Sequence, residues 1–298
     1  MNSGFSPVSW LWKLAVCSLV YAAGAVLGGM LAMALSLDLP RVPGPVDQAL
    51  QGIQLFPAGL VYSIGLAAMA IGLVGRWWQR WFLLVAFLFV INGIGNAIEG
   101  TLFTTLGGQF GAAVAFLVPS VTCAFAVALL FPAPSGVSLA QKFSGFFARS
   151  KPVPLAGRVL IAILAFPVIY LAFGGIVAPI VVPYYEALDF LKIPPLSTLI
   201  PVAHVRSVLL LLVSLPIIIG WEGSRARLIL GLGLGHAAAV GVGGLVQATF
   251  FPLVLRWVHG IEIFADSLVY AWVLVLLFTI KPGEPARASG STRSVGRR

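Results

Sequence analysis

Phe251-Pro-Leu-Val-Leu-Arg-Trp-Val-His-Gly-Ile-Glu-Ile-Phe-Ala-Asp-Ser-Leu-Val-Tyr-Ala-Trp-Val-Leu-Val-Leu-Leu-Phe-Thr-Ile280 is an apolar run interrupted by Arg256, His259, Glu262, Asp266 and Tyr270. These five follow one another at steps of three or four residues, so at about 100° per residue they share one stripe of a helix. Everything around them has the composition of a membrane span. A charge at the bilayer centre costs roughly 2.5 kcal/mol or more, so residues of this kind face a bundle interior and mark a functional place.

Composition extends that reading to the whole chain. Of 298 residues, 60% are hydrophobic and 9% charged; a soluble domain carries about 25% charged residues. So much apolar side chain needs lipid as its solvent. The net charge of +9 does not point to nucleic acid, because the basic residues sit in short loops between apolar spans instead of on one basic face. Cys17 and Cys123 lie in apolar segments without a CxxC partner, which excludes a disulfide framework or a zinc ribbon and reads as two inert thiols.

The fold class is an all-α polytopic membrane protein. Eight stretches reach the roughly 20 residues a crossing needs: 12–36, 55–75, 81–105, 109–132, 158–182, 201–220, 228–249 and 252–280. Lys13 with Ala32-Met33-Ala34 imitates a signal peptide, but the apolar run between them is too long for a signal core and reads as the first span. Eight spans put both termini on one side. With that side cytoplasmic, 14 of the 18 Lys and Arg residues are inside, leaving Arg41, Lys192, Arg206 and Arg256. The expected location is the cell membrane.

Four segments follow. Residues 1–132 form an N-terminal four-helix unit and 158–281 a C-terminal one. Residues 133–157 are a cytoplasmic linker, read either as plain loop or as a short interfacial helix with Leu139, Phe143, Phe146 and Phe147 on one face. The tail 282–298, rich in Gly, Ser and Arg, is expected to be disordered. The two units look like tandem repeats. Leu55-Phe-Pro-Ala-Gly-Leu-Val-Tyr-Ser-Ile64 matches Leu199-Ile-Pro-Val-Ala-His-Val-Arg-Ser-Val208 at Leu, Pro, Val and Ser. Gly75 and Arg80 match Gly220 and Arg225, Leu129-Leu-Phe131 matches Leu276-Leu-Phe278, and Tyr21 matches Tyr170. Four helices per unit make the repeats parallel.

At about 1.5 Å per residue, Asn92, Asn96 and Glu99 of span three, His204 and Arg206 of span six and the span-eight stripe all fall in the outer half, while Tyr184, Tyr185 and Glu186 sit in the loop before span six. Asn96, Glu99, His204, Arg206, His259, Glu262 and Asp266 are the candidate ligand-binding residues. They either border an outward-facing polar cavity or pair with one another as interhelical glue.

No metal is expected. His259 and Glu262 make a ligand-like pair, but a second set is wanting and His236 lies too deep. No cofactor can be named, and haem held by paired histidines in each half is excluded because residues 1–150 contain no histidine. The glycines of Gly231-Leu-Gly-Leu-Gly235 serve close helix packing, as do Gly24, Gly28 and Gly29, not a dinucleotide. No GxSxG, HExxH or Walker A motif occurs. Three functions remain open: binding or transport of a small solute or ion, an enzyme acting on a lipid-type substrate at the outer leaflet, and a non-catalytic accessory, assembly or sensor subunit. The bilayer is the certain partner; a small solute, a lipid, another membrane protein or a second copy are the remaining ones.

Overall fold

The computed structural model describes residues 7–41, 48–134 and 136–279. The tail expected to be disordered, 282–298, lies outside them. Among the described residues nine helices run in order: α1 (Pro7–Ala34), α2 (Gln48–Ala70), α3 (Trp77–Phe103), α4 (Gln109–Leu130), α5 (Leu139–Arg149), α6 (Pro152–Ala187), α7 (Leu196–Ile219), α8 (Arg225–Gln247) and α9 (Leu253–Phe278). All but α5 are long and apolar enough to cross a bilayer, so the chain is a multi-pass integral membrane protein. α3 and α8 each pass through a π-helical turn, at Phe89–Gly95 and Ala238–Val242.

Helix starts follow local chemistry. Proline leads into α6 at Pro152, α7 after Pro195 and α9 after Pro252, where its missing N–H costs nothing. Ser224 opens α8 by accepting from the Arg227 backbone N–H at 3.3 Å. Several helices start earlier than the sequence reading has them, and two differences matter most. α2 starts seven residues before 55, at Gln48. Its first turns carry Gln48, Gln51 and Gln54, which lower the local hydropathy without breaking the helix. α6 has 36 residues and is therefore about 54 Å long, well beyond the roughly 30 Å of hydrocarbon. Tyr184, Tyr185 and Glu186, expected in a loop, thus continue a helix.

α1 packs on α2 and α4, and α4 on α2 and α3; in the second half α6 packs on α7 and α9, and α9 on α7 and α8. The halves meet through α2 on α8, through α3 on α7, and through the two π turns against each other. Glycines let these backbones approach. A Cβ on Gly65 would lie 3.0 Å from Gly235 Cα, and one on Gly231 would lie 2.8 Å from the Ala68 carbonyl oxygen. Gly24 and Gly28 similarly abut α4, but a Cβ on Gly29 would meet nothing, so that glycine is not a packing residue.

At one end, here proximal, the loops after α2 and α7 form a two-residue antiparallel bridge. Val74 N–H donates to Gly220 O at 2.9 Å and Glu222 N–H to Gly72 O at 2.7 Å. Gly75 (φ 112°) and Gly223 (φ 145°) turn the chain just after it, a backbone that a side chain would strain. α5 docks on this bridge. A capping box of Ser138 and Gln141 starts it, Leu139 packs against Gly220, and Lys142 pairs with Glu222 and donates to Trp221 O at 3.1 Å. Residues 139–149 of the linker are helical. At the distal end, Thr105 N–H donates to Phe190 O and Lys192 N–H to Phe103 O, both at 2.9 Å, tying the α3–α4 loop to the α6–α7 loop.

Arginines close helix ends, one buried and one exposed. Arg80, 2% exposed, donates to Ala70 O at 2.9 Å, Ala128 O at 3.2 Å and Phe131 O, satisfying the last carbonyls of α2 and α4. Arg225 does the same for α9 through Thr279 O at 2.7 Å. A cation at a C-terminus also meets the negative end of the helix dipole.

Candidate functional site

Three helices, α3, α7 and α9, bring charge together against α6 toward the distal end. Arg206, ten residues into α7 and 5% exposed, forms an ion pair with Glu99, which α3 carries in its last turns. Its guanidinium also lies over the rings of Phe166 (5.5 Å) and Tyr170 (5.4 Å) on α6, an arrangement that holds a planar cation out of water.

α9 contributes the opposite side. The carboxylate of Glu262 accepts from His259 Nδ1 at 2.7 Å, as the i, i+3 spacing allows. That leaves Nε2 to accept from the Tyr185 hydroxyl at 3.4 Å, across from the distal extension of α6. Glu262 lies against α6 where Gly174 has no side chain; a Cβ there would come 3.6 Å from Oε1. Asp266, one turn deeper and 6% exposed, accepts from Ser267 Oγ at 3.2 Å and lies in the field of Glu262, Arg206 and Glu99. Glu99 in turn feels Arg206, His259 and Glu262. Three carboxylates therefore share one guanidinium and one imidazole.

The remaining candidates go elsewhere. His204 bonds back to Ile200 O of its own helix at 2.8 Å. Arg256 caps α8, donating from Nε to Leu245 O (2.8 Å) and from Nη2 to Val246 O (2.9 Å). Asn96 has a different partner from Glu99. Its Nδ2 donates to Asn92 Oδ1 at 3.2 Å, and Asn92 donates to the Tyr62 hydroxyl at 2.5 Å. Gln247 donates to the Tyr21 hydroxyl at 3.1 Å, and the Tyr21 and Tyr62 rings lie 4.9 Å apart. These groups adjoin a cavity of about 600 Å³ lined by Gln51, Asn92, Asn96, Gln109 and Gln247 among others. The candidate residues thus fall in two places: a charged cluster between α3, α6, α7 and α9, and an uncharged amide cavity where the π turns meet.

Below the cluster the interior is not purely apolar. Tyr270, on the α9 stripe, has its hydroxyl 3.4 Å from Ser207 Oγ. His236, 1% exposed, bonds through Nε2 to Ser214 Oγ at 2.7 Å and stacks between Phe87 and Tyr270. Among the described residues, no group of three or more His, Cys, Asp or Glu is placed to hold a metal ion. Cys17 and Cys123 are fully buried and unpaired.

Tyr170, Phe166, Gly174 and Gln247 belong to these sites without having stood out in the sequence. Tyr170 had a signal, its match with Tyr21. Gln247 had another, a lone amide at the end of a glycine-rich span. Phe166 and Gly174 have none, since phenylalanine and glycine are ordinary in any span. No protein-family model matches this chain, and no characterised protein or solved structure does either.

Proposed function

We propose that the protein binds, and carries across the cell membrane, a small cation or a protonated solute held at the acidic cluster. One observation supports this most directly: Glu262 and Asp266 are buried and Glu99 partly so, and among the described residues only Arg206 stands with them as a permanent cation. Burying uncompensated charge is far costlier than burying a neutral group, so the cluster lacks at least one positive charge, and a proton or a bound cation supplies it. The polar groups continuing inward past Asp266, Tyr270 with Ser207 and His236 with Ser214, extend the line toward the proximal side. The Tyr185–His259–Glu262 chain favours a second reading, an acid–base enzyme at the outer leaflet, because a carboxylate-oriented imidazole is the usual proton-transfer device; turnover in detergent without a gradient separates it from a carrier. An accessory role would show as a co-purifying partner.

The architecture proposed with it is two tandem parallel four-helix repeats, both termini cytoplasmic. Several facts support the repeat. α2 and α7 start 148 residues apart, as do α3 and α8. Gly72 pairs with Glu222 and Val74 with Gly220, so the bridge maps onto itself under the same shift. Gly75 and Gly223, both left-handed, stand 148 apart, and so do Glu99 and Gln247. This spacing favours Gly72 as the mate of Gly220, not Gly75, and sets Ala58, not Tyr62, opposite Arg206.

A thermal-shift screen of the purified full chain against alkali and alkaline-earth cations, polyamines and basic amino acids tests the cation reading. A shift that Asp266→Asn abolishes supports it. Shifts equal in both proteins, or none across the screen, mean that the charges only hold the bundle together.

A further inference from the structure

The amide cavity is a site in its own right. Its lining carries five primary amides, Gln51, Asn92, Asn96, Gln109 and Gln247, and among the described residues no charged one. Amides both donate and accept, so they suit a neutral group with several hydroxyls or N–H groups; an ion would find no counter-charge there. Asn96 Oδ1 is buried yet accepts from nothing. An unmet buried acceptor costs on the order of 1–3 kcal/mol and is exceptional in a folded protein, so it calls for a donor from outside. Space has been kept for that donor. Gly52 and Gly244 line the cavity, and a Cβ on either would meet no atom within 4 Å.

A second volume adjoins it. A groove of about 1010 Å³ runs along α3, α4 and the start of α7, walled by Phe89, Ile94, Ile98, Phe110, Val114 and Ile193. Ala97, Gln109 and Ala113 line both volumes, so the apolar groove and the amide cavity share a wall of two alanines and one flexible side chain. Gln109 is lightly held there, by one bond to Leu106 O at 3.1 Å. The groove is walled by helices long and apolar enough to cross a membrane.

We infer that the two volumes together bind a neutral amphiphile, its uncharged hydrogen-bonding head among the amides at Asn96 and its single tail in the groove beside Ile94 and Phe110. This site is separate from the acidic cluster and does not depend on what the cluster binds. The competing occupant is an ordinary anionic lipid lying in the groove with its head on Lys192, which stands on the groove lining.

The test is photolabelling of the full chain in phosphatidylcholine nanodiscs with a monoacylglycerol bearing a diazirine in its tail. Labelling of peptides covering 94–102 and 110–114 should saturate, and unlabelled monoacylglycerol but not oleate should compete it away. Asn96→Leu should cut labelling roughly fivefold, as expected for losing about one hydrogen bond to the head. Gly244→Leu, on a cavity-lining residue where a Cβ would meet no atom within 4 Å, should do so at unchanged thermal stability, guarding against an Asn96 variant that misfolds. Labelling that survives both substitutions, or that oleate removes equally well, overturns the proposal and leaves only bulk or anionic lipid in the groove.

Discussion

Arg206 is the residue on which the charged cluster turns. Its guanidinium is buried under two aromatic rings and faces Glu99, with Glu262 and Asp266 close by. Removing one member of a buried ion pair costs more than removing both, because the survivor keeps its desolvation penalty. Arg206→Met should therefore destabilise the protein by about 2 kcal/mol, with Glu99 partly exposed and so partly relieved by solvent. Adding Glu99→Gln should restore part of that loss. Thermal unfolding of the wild type, the two single variants and the double variant checks it. If the double variant falls by the sum of the singles, Arg206 and Glu99 do not act as a pair. Arg256 is a contrasting case: it stands on the same helical stripe as Glu262, yet its donors are taken by the carbonyls that end α8. Helical periodicity assigns both to one stripe. Which of them reaches the cluster depends on where α8 ends.

At the scale of the element, the two glycine turns after the bridge and the two π turns set the relation between helices. Gly75 and Gly223 adopt positive φ immediately before α3 and α8. Alanine at either position should cost about 1 kcal/mol or more through backbone strain. Gly29→Ala, in helical backbone facing open space, should be neutral or stabilise by up to about 1 kcal/mol. Melting temperatures of the three variants decide this; similar losses at 75 and 223 with none at 29 are the expected pattern. The π turns matter for the sites. An extra residue in the turn shifts the register of everything beyond it, which carries Asn96 and Glu99 round together; about 60° apart on the regular helix that follows, Asn96 lines the amide cavity with Asn92 while Glu99 reaches Arg206. Plain 3.6-residue periodicity places all three within one face, which is why the sequence reading merged the two sites.

For the whole molecule, the expected topology puts α5 and the 71–76 and 220–224 loops in the cytoplasm, with the 188–195 loop outside. Both native cysteines are fully buried, so single added cysteines can be labelled against a low background. Lys151→Cys should react with a membrane-impermeant maleimide only in inverted vesicles, and Lys192→Cys only in right-side-out cells. The reverse pattern would turn the molecule over, placing the acidic cluster on the inner side and removing the reading of an outward-facing site.

Sequence alone determined that this chain lives in lipid, that eight helices cross it, and that α7 and α9 carry charge into the interior. Those conclusions rest on composition and helical period, which are local quantities, and an apolar run of this length has no other stable home. Glu99, Arg206, His259, Glu262 and Asp266 were legible for the same reason, since each is costly where it stands. Only the tertiary structure decided which of them meet. It paired Arg206 with Glu99 over Phe166 and Tyr170, turned His204 back on its own helix, and moved Asn96 to a cavity shared with Gln247, 151 positions along the chain. Those outcomes depend on helix ends, π turns and the close approach of glycine-lined backbones, and a span's hydropathy carries almost no information about any of them.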